Sequence, residues 1–193
     1  APLFQMIGAF FALFATSAQK VALMVNFMSV FSSAFTVLFL FWTLTLLLQK
    51  LPNFKNLENL TDRIGFFGSA AVGALAFCFS DSFWFNAVET EVYAMATLIL
   101  SSLFWMGLRW EQEMNTPRGD RWLLMIAFVI GLSFGVHFMG LLTIPALGMI
   151  YYFKNYQKVT FKGFVYANLI SVAIVLFIFN LFLPLTLSFF CNA

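Results

Sequence analysis

The sequence is poor in charge. Only 9% of its 193 residues are Asp, Glu, Lys or Arg, whereas 62% are hydrophobic and 20% are aromatic. Soluble domains carry about 25% charged residues, and with a mean hydropathy of +0.93 this composition excludes a soluble globular protein. The few basic residues form no patch interleaved with aromatic side chains, which excludes nucleic acid as a partner. The lipid bilayer is therefore the expected environment.

Several enzyme motifs are also missing. The chain has no GxSxG, HExxH, P-loop or GxGxxG pattern, so hydrolase, zinc protease and nucleotide-binding functions find no support. Its two cysteines, Cys78 and Cys191, lack zinc-ligand spacing. Two unpaired thiols are expected, although a disulfide stays open. No metal site and no cofactor are indicated, and a divalent metal stays open.

Long apolar runs predict an all-α, polytopic membrane helix bundle. A crossing needs about 20 apolar residues, and we expect about five transmembrane helices in a single transmembrane domain over 1–193. Residues 2–15 are apolar but too short to cross, which favours an interfacial or re-entrant helix. The pair within 122–153 is expected to form a tight helical hairpin. The expected spans lie at about 21–48, 64–80, 83–108, 122–137, 138–153 and 163–190.

The basic residues indicate the orientation of the helices. Membrane proteins keep Lys and Arg in cytoplasmic loops, so the helix ends between the basic segments are expected to face outward. Those ends carry Asp81, Glu89, Glu91 and the only histidine, His137. Nine of the ten basic residues fall in three short segments: Lys50, Lys55 and Arg63; Arg109, Arg118 and Arg121; Lys154, Lys158 and Lys162.

The stretch DSFWFNAVETEVY, residues 81–93, is the most polar outward segment. A charge deep in hydrocarbon costs roughly 2.5 to 3.5 kcal/mol on insertion scales, so acids in such segments are functional candidates. On a continuous helix, Glu89 shares a polar stripe with Asn86, Thr90, Tyr93 and Thr97 and faces a wet cavity. Glu91 then either packs into the bundle or lies in an unwound outer turn. The alternative interpretation is that these acids, above all Asp81, lie at the level of the lipid headgroups and simply face water.

His137 ends the run GLSFGVH at an outward helix tip. A structural histidine is more common there than a metal ligand, because no second histidine lies at ligand spacing. Gly131, Gly135 and Gly140 around it are expected to permit close helix approach. Trp84 is expected to anchor at the interface or to stack on a sugar.

Three stretches of the sequence resemble a known family. These are APLFQMIGAFFALF, FWFNAVETEVY and GLSFGVH. They are similar to the GT-C superfamily of multi-span glycosyltransferases, and within it to bacterial membrane proteins of the DUF2723 family, which is related to the protein O-mannosyltransferases. The resemblance covers essentially the whole chain. It implies a preceding span and an outer loop carrying the main catalytic acid upstream of Ala1, so that this chain alone is expected to be inactive. The start Ala1-Pro2-Leu3, without a Met or a basic stretch before the apolar run, separately predicts a piece of a longer protein with no signal peptide.

The resemblance also implies a reaction. A sugar, mannose in the simplest case, moves from a polyprenyl-phosphate donor to a Ser or Thr of an exported protein at the periplasmic side of the bacterial inner membrane. Glu91 and Glu89 would be supporting catalytic carboxylates, and His137 a donor to the lipid phosphate. The remaining expected substrate-binding residues are Asp81, Trp84, Asn86 and Tyr93.

Two other functions stay open from the sequence. A transporter or flippase-like carrier could use Glu89, Glu91 and His137 as a proton relay. Two features argue against a transporter: these residues lie near helix ends rather than at the membrane midplane, and the sequence shows no pair of interrupted spans at matching positions of two repeats. A non-catalytic assembly subunit whose acids meet a partner is the third interpretation.

Overall fold

The fold is helical throughout the part that the structure describes. The computed structural model describes residues 1–54, 57–156 and 158–191, with the backbone alone at 53, 182, 183 and 185–191. All its regular secondary structure is helical, which confirms the all-α prediction. The α-helices are α1 Pro2–Ala12, α2 Val21–Leu48, α3 Leu60–Cys78, α4 Asp81–Val88, α5 Val92–Glu113, α6 Pro117–Ser133, α7 Thr143–Asn155 and α8 Phe161–Cys191. Short 3₁₀ helices occupy Ala18–Lys20, Pro52–Phe54 and Phe138–Leu142.

Three helical segments are long and apolar enough to cross a membrane. They are Ala18–Leu48, Val92–Glu113 and Phe161–Leu181. Helices α3 and α4 pass the same test only as a pair, and they are bent by 66° relative to each other. By length and composition the described residues thus supply three or four spans rather than about five, because α6 has 17 residues and α7 has 13. The chain is a helical membrane bundle.

Residues 1–140 form the first of two compact units. Helix α2 is its centre and packs against α1, α3, α4 and α5. The hydroxyl of Thr36 donates to the Ser32 carbonyl oxygen at 2.8 Å, and that of Thr43 donates to the Phe39 carbonyl oxygen at 2.8 Å. Hydrocarbon offers no water to polar groups, so these bonds within the helix allow α2 to carry hydroxyls through the membrane.

Small residues let α3 pack closely on α2. Ala70 and Ala74 are almost completely buried. A Cβ atom added at Gly73 would lie 2.9 Å from Leu44 Cδ1 on α2, so a larger residue there would force the helices apart. This is the close packing that small residues predict in membrane helices.

A tight connection joins α5 to α6. The Thr116 hydroxyl accepts from the Arg118 N–H at 3.3 Å as the N-cap of α6, and Pro117 occupies the first helical position. A Cβ at Gly119 would lie 2.6 Å from the Glu113 carbonyl oxygen. The stretch from Arg109 to Arg121, expected to be a loop, is therefore mostly helical, since Arg109 belongs to α5 and Arg121 to α6.

Residues 141–193 form the second unit, in which α7 packs on α8. Gly148 lies directly against the Ser171 side chain. At the turn between the helices, the Tyr152 hydroxyl accepts from the Thr160 N–H at 3.2 Å. The predicted hairpin within 122–153 involves both units and stays a prediction.

Candidate functional site

The glutamate end of unit 1, defined by Asn26, Glu89, Glu91, Tyr93 and His137, is organised around a small apolar core. Met28 on α2, Met95 on α5 and Val136 after α6 are all buried and in contact. Tight van der Waals packing of such side chains holds helices together. The core therefore brings the start of α5 and the end of α6 together.

Helix α1 closes this core from one side. Its residues Leu3, Phe4, Ile7 and Phe11 pack against the three buried side chains. The Gly135 carbonyl oxygen accepts from the Leu3 N–H at 2.9 Å and from the Phe4 N–H at 3.2 Å. These N–H groups belong to the first turn of α1, where a helix leaves its donors without internal partners. Gly135 thus anchors the beginning of α1.

The stretch Glu89–Glu91 breaks the helix that was expected to run from 83 to 108. Glu89 has φ −106° and ψ 144°, and Glu91 has φ −127° and ψ 161°, both extended. The Glu91 N–H donates to the Glu89 carbonyl oxygen at 2.9 Å, which makes a tight turn centred on Thr90. The predicted continuous span, and the polar stripe that depends on it, are wrong here. Of the two alternatives left open for Glu91, the structure shows the unwound turn.

Asn26 on α2 holds this turn, and the sequence analysis missed it. The Thr90 hydroxyl donates to Asn26 Oδ1 at 3.3 Å. The bond joins residues 64 positions apart, so local spacing does not predict it. The only available signal was an amide side chain inside the apolar stretch 21–48.

The carboxylates at this end are free to interact with something else. Glu91 and Asp81 are exposed, and Glu89 is half-buried. Among the described residues, none of the three carboxylates makes an ion pair or a hydrogen bond. Glu89 and Glu91 come from one turn, whereas Asp81 begins α4. Two unpaired carboxylates on one extended turn can accept a proton, or a hydrogen bond from a hydroxyl group, of a substrate.

The structure brings together Tyr93 and His137, which are both among the predicted substrate-binding residues. Their ring centroids lie 5.6 Å apart with an interplanar angle of 50°. His137 Nδ1 accepts from the Met139 N–H at 3.2 Å. In a neutral imidazole one nitrogen accepts and the other carries the proton, so Nε2 of His137 is a donor.

Asp81, Trp84 and Asn86 lie on α4. Trp84 stacks on Phe79 at 6.1 Å, and the Asn86 amide donates to the Ser82 carbonyl oxygen at 2.9 Å. In the described part of the chain, no hydrogen bond or ring contact joins these three residues to Tyr93 or His137. An open groove of about 490 Å³ runs along α4, lined by Phe79, Asp81, Trp84, Phe85 and Val88.

The glycines around His137 differ in their surroundings. A Cβ at Gly135 would lie 2.6 Å from Leu3 Cβ, and Gly140 lies against the Ser133 side chain. These two contacts confirm close approach. Gly131 has no neighbour within 4 Å of an added Cβ, so the expectation is wrong for that residue.

Cys78 is a free thiol and half-buried, whereas the side chain of Cys191 lies outside the described residues, so the predicted thiol state of that residue stays a prediction. In the same described ranges, no three His, Cys, Asp or Glu side chains form a group suited to a metal ion. The predicted lack of a metal and a cofactor stays a prediction.

The opposite end of the unit contains two ion pairs. We call it the arginine end and define it by Lys50, Arg109, Glu111, Glu113, Arg118 and Arg121. Lys50 forms an ion pair with Glu111, and Arg109 Nη2 lies 3.7 Å from Glu113 Oε1. The Arg109 guanidinium also lies 5.8 Å from the Trp122 ring centre. The sequence analysis assigned the basic residues to this end but did not pair them with these two acids.

Comparison with known proteins decides the family. Residues 1–160 match the family described as the protein O-mannosyl-transferase TMEM260 N-terminal domain. The chain belongs to this family. The match includes the glutamate end in full, and it confirms the expected relation to the protein O-mannosyltransferases. No curated protein and no solved structure gives a significant match.

Membership in the TMEM260 N-terminal domain family makes the chain part of a membrane transferase. It also gives it a protein O-mannosyltransferase-like function. The matched residues run from α1 through α7.

Proposed function

We propose that the chain contributes to a GT-C, DUF2723-type glycosyltransferase that moves mannose from a polyprenyl-phosphate donor to a Ser or Thr hydroxyl of an exported protein. The reaction takes place at the periplasmic side of a bacterial inner membrane. The observation that carries this proposal is the turn at Glu89–Glu91, which presents two unpaired carboxylates close to the start of α5. The family match gives the reaction type.

The carboxylates suit the chemistry of the acceptor. In the transfer, the acceptor oxygen forms a bond to the anomeric carbon while the bond from that carbon to the phosphate oxygen breaks. The hydroxyl proton must pass to a base within hydrogen-bond reach. Glu89 and Glu91 support that step by accepting from the acceptor hydroxyl or by orienting another catalytic acid.

His137 suits the donor. The phosphate that leaves gains negative charge, and preorganised N–H groups stabilise such charge in the transition state. With Nδ1 occupied by the Met139 N–H, Nε2 of His137 is the proton-bearing nitrogen and serves as the donor to a phosphate oxygen. Tyr93 fixes the ring orientation through its ring contact.

The α4 residues form the third part of the proposed site. Trp84 is exposed on the open groove beside Asp81. An exposed aromatic ring next to a carboxylate suits a sugar, whose hydroxyls bind the acid while its apolar face stacks on the ring. Asn86 lies on the same helix, and its side-chain oxygen can accept from a sugar hydroxyl while its amide nitrogen donates to the Ser82 carbonyl oxygen.

The test uses the full-length protein in its own membrane. Glu89→Gln and Glu91→Gln remove the charge and keep the shape, and the matched control is Glu58→Gln, an exposed acid outside the site. We expect glycosylation of exported proteins to fall at least tenfold in one or both site variants at unchanged membrane abundance. Normal glycan levels in both variants would show that the glutamates are structural and would remove the basis of the proposal.

A carrier function is the second candidate, because the helices are discontinuous. The 66° bend between α3 and α4 and the break between α4 and α5 are features that line substrate paths in transporters. If the protein is a carrier, the glutamate variants should no longer move lipid-linked sugar across the membrane. If it is a transferase, the same variants should accumulate unused lipid-linked sugar on the side where the transfer takes place. Measuring that pool on each side of the membrane distinguishes the two.

A further inference from the structure

A second polar cavity lies at the arginine end, away from the glutamate end. It has a volume of about 560 Å³ and is lined by Glu113, Thr116, Pro117, Arg118 and Arg121. Glu113 is the last residue of the membrane-length helix Val92–Glu113. The cavity therefore lies where a crossing helix meets the lipid headgroups.

The charges of this cavity are incompletely paired. Glu113 Oε1 lies 3.7 Å from Arg109, but Glu113 Oε2 is buried and has no hydrogen-bond partner. The guanidinium groups of Arg118 and Arg121 have no ion pair or hydrogen bond within the described residues. A buried carboxylate oxygen without a partner is costly. The cavity lining thus combines two guanidinium groups, which bind anions, with one carboxylate, which binds cations.

The cavity walls are held in place. The Glu113 carbonyl oxygen accepts from the Thr116 N–H at 2.9 Å and from the Thr116 hydroxyl at 2.8 Å. Gly119 lets the first turn of α6 approach to within contact of that same carbonyl. A short connection with these bonds fixes the spacing between Glu113 on α5 and the two arginines on α6.

An apolar ridge leads away from the cavity along α6. Leu124 and Phe128 follow Arg121 by three and seven residues, which places all three on one helix face. Leu124 is 72% exposed and Phe128 is 65% exposed. A molecule whose charged head fills the cavity can thus lay a hydrocarbon chain along this ridge. A free phosphate would use the arginines but neither the ridge nor Glu113.

We propose that this cavity binds the headgroup of a phospholipid that carries both a phosphodiester and a primary ammonium group. Arg118 and Arg121 bind the phosphodiester, since guanidinium groups match phosphate oxygens geometrically. The Glu113 carboxylate, whose side chain is 21% exposed, accepts from the ammonium group. The site is independent of the glycosyl-transfer proposal, because it uses none of the residues of the glutamate end.

The experiment measures bound lipid on the purified full-length protein by native mass spectrometry. The protein is incubated with equimolar phosphatidylethanolamine, phosphatidylcholine and phosphatidylglycerol. We expect phosphatidylethanolamine to be retained about tenfold over the other two lipids. Phosphatidylcholine has no N–H to donate, and phosphatidylglycerol has no cation. Equal retention of all three lipids by the unmodified protein would overturn the proposal without any variant being needed.

Variants assign the two charge partners. The double variant Arg118→Gln/Arg121→Gln should lose about tenfold in phosphatidylethanolamine retention, whereas the control Lys154→Gln/Lys162→Gln, which removes two basic residues elsewhere, should lose little. Glu113→Gln should remove the preference over phosphatidylglycerol and keep phosphodiester binding. A double variant that binds like its lysine control would refute the site.

Competition separates a lipid from a free anion. Inorganic phosphate and phosphoethanolamine are added at millimolar concentration to the lipid-loaded protein. We expect neither to displace the lipid, because the ridge on α6 contributes through its acyl chain. Displacement by inorganic phosphate alone would reassign the cavity to a free anion and would overturn the lipid proposal.

Discussion

The imidazole of His137 lies against the ring of Tyr93, with 5.6 Å between the ring centroids, although the two residues are 44 positions apart in the sequence. The contact joins the segment after α6 to the first turn of α5. It also orients the imidazole so that Nδ1 meets the Met139 N–H. A side chain that the sequence places at a helix tip is thereby held from two sides.

The first prediction concerns the proton on this histidine. Because Nδ1 accepts from Met139, the neutral ring should carry its proton on Nε2. The chain contains a single histidine, so nitrogen NMR of the isotope-labelled protein reports this ring without assignment. When the ring is neutral, we expect the chemical shift of Nδ1 in the unprotonated range and that of Nε2 in the protonated range. The reversed pattern would contradict the proposed donor role.

The second prediction concerns the anchor of α1. Gly135→Ala places a Cβ 2.6 Å from Leu3 Cβ, and overpacking of this kind costs about 1 to 3 kcal/mol. We expect a lower unfolding temperature in detergent. The matched control is Gly131→Ala, which meets no atom within 4 Å and should be neutral or stabilising by up to about 1 kcal/mol. Equal effects from both variants would show that α1 does not pack on Gly135.

The third prediction concerns the turn at Glu89–Glu91. Thr90→Val and Asn26→Leu each remove the bond between Thr90 and Asn26, worth about 0.5 to 1.5 kcal/mol. Hydrogen exchange of the amides at 89–91 should become roughly 2- to 10-fold faster, and the double variant should exchange no faster than either single one.

Thr97→Val is the control for that experiment. The Thr97 hydroxyl donates to the Ala94 carbonyl oxygen within α5 and does not contact the turn. Its loss should leave exchange at 89–91 unchanged. Additive effects of Thr90→Val and Asn26→Leu would show that the two side chains act separately.

The fourth prediction tests orientation, which rests on the distribution of basic residues. In a background where Cys78 and Cys191 are replaced by Ser, Asp81→Cys should react with a membrane-impermeant maleimide added to the outer side of the membrane. Arg118→Cys should react only after the membrane is opened. Both positions are exposed, so accessibility to reagent depends on sidedness alone. The reverse labelling pattern would invert the proposed topology.

Much of the fold follows from local sequence. The apolar runs predict α2, α5 and α8, because only a helix satisfies its own backbone groups in hydrocarbon. Small residues predict the close packing of α3, and Pro2 predicts the start of α1. The candidate residues Glu89, Glu91, Tyr93 and His137 were all identified from their residue types.

The sequence by itself determined that the long apolar runs are helical, that they belong in a membrane and which polar residues are unusual there, because length, hydropathy and charge are local properties. Only the tertiary structure decided the helix break at Glu89–Glu91. No Gly or Pro marks this break in the sequence, and the turn is held by a hydrogen bond from Thr90 to Asn26 on another helix. It also separated Gly135, which touches Leu3, from Gly131, which touches nothing. These outcomes depend on which helix faces meet, and that is settled by contacts between residues far apart in the chain.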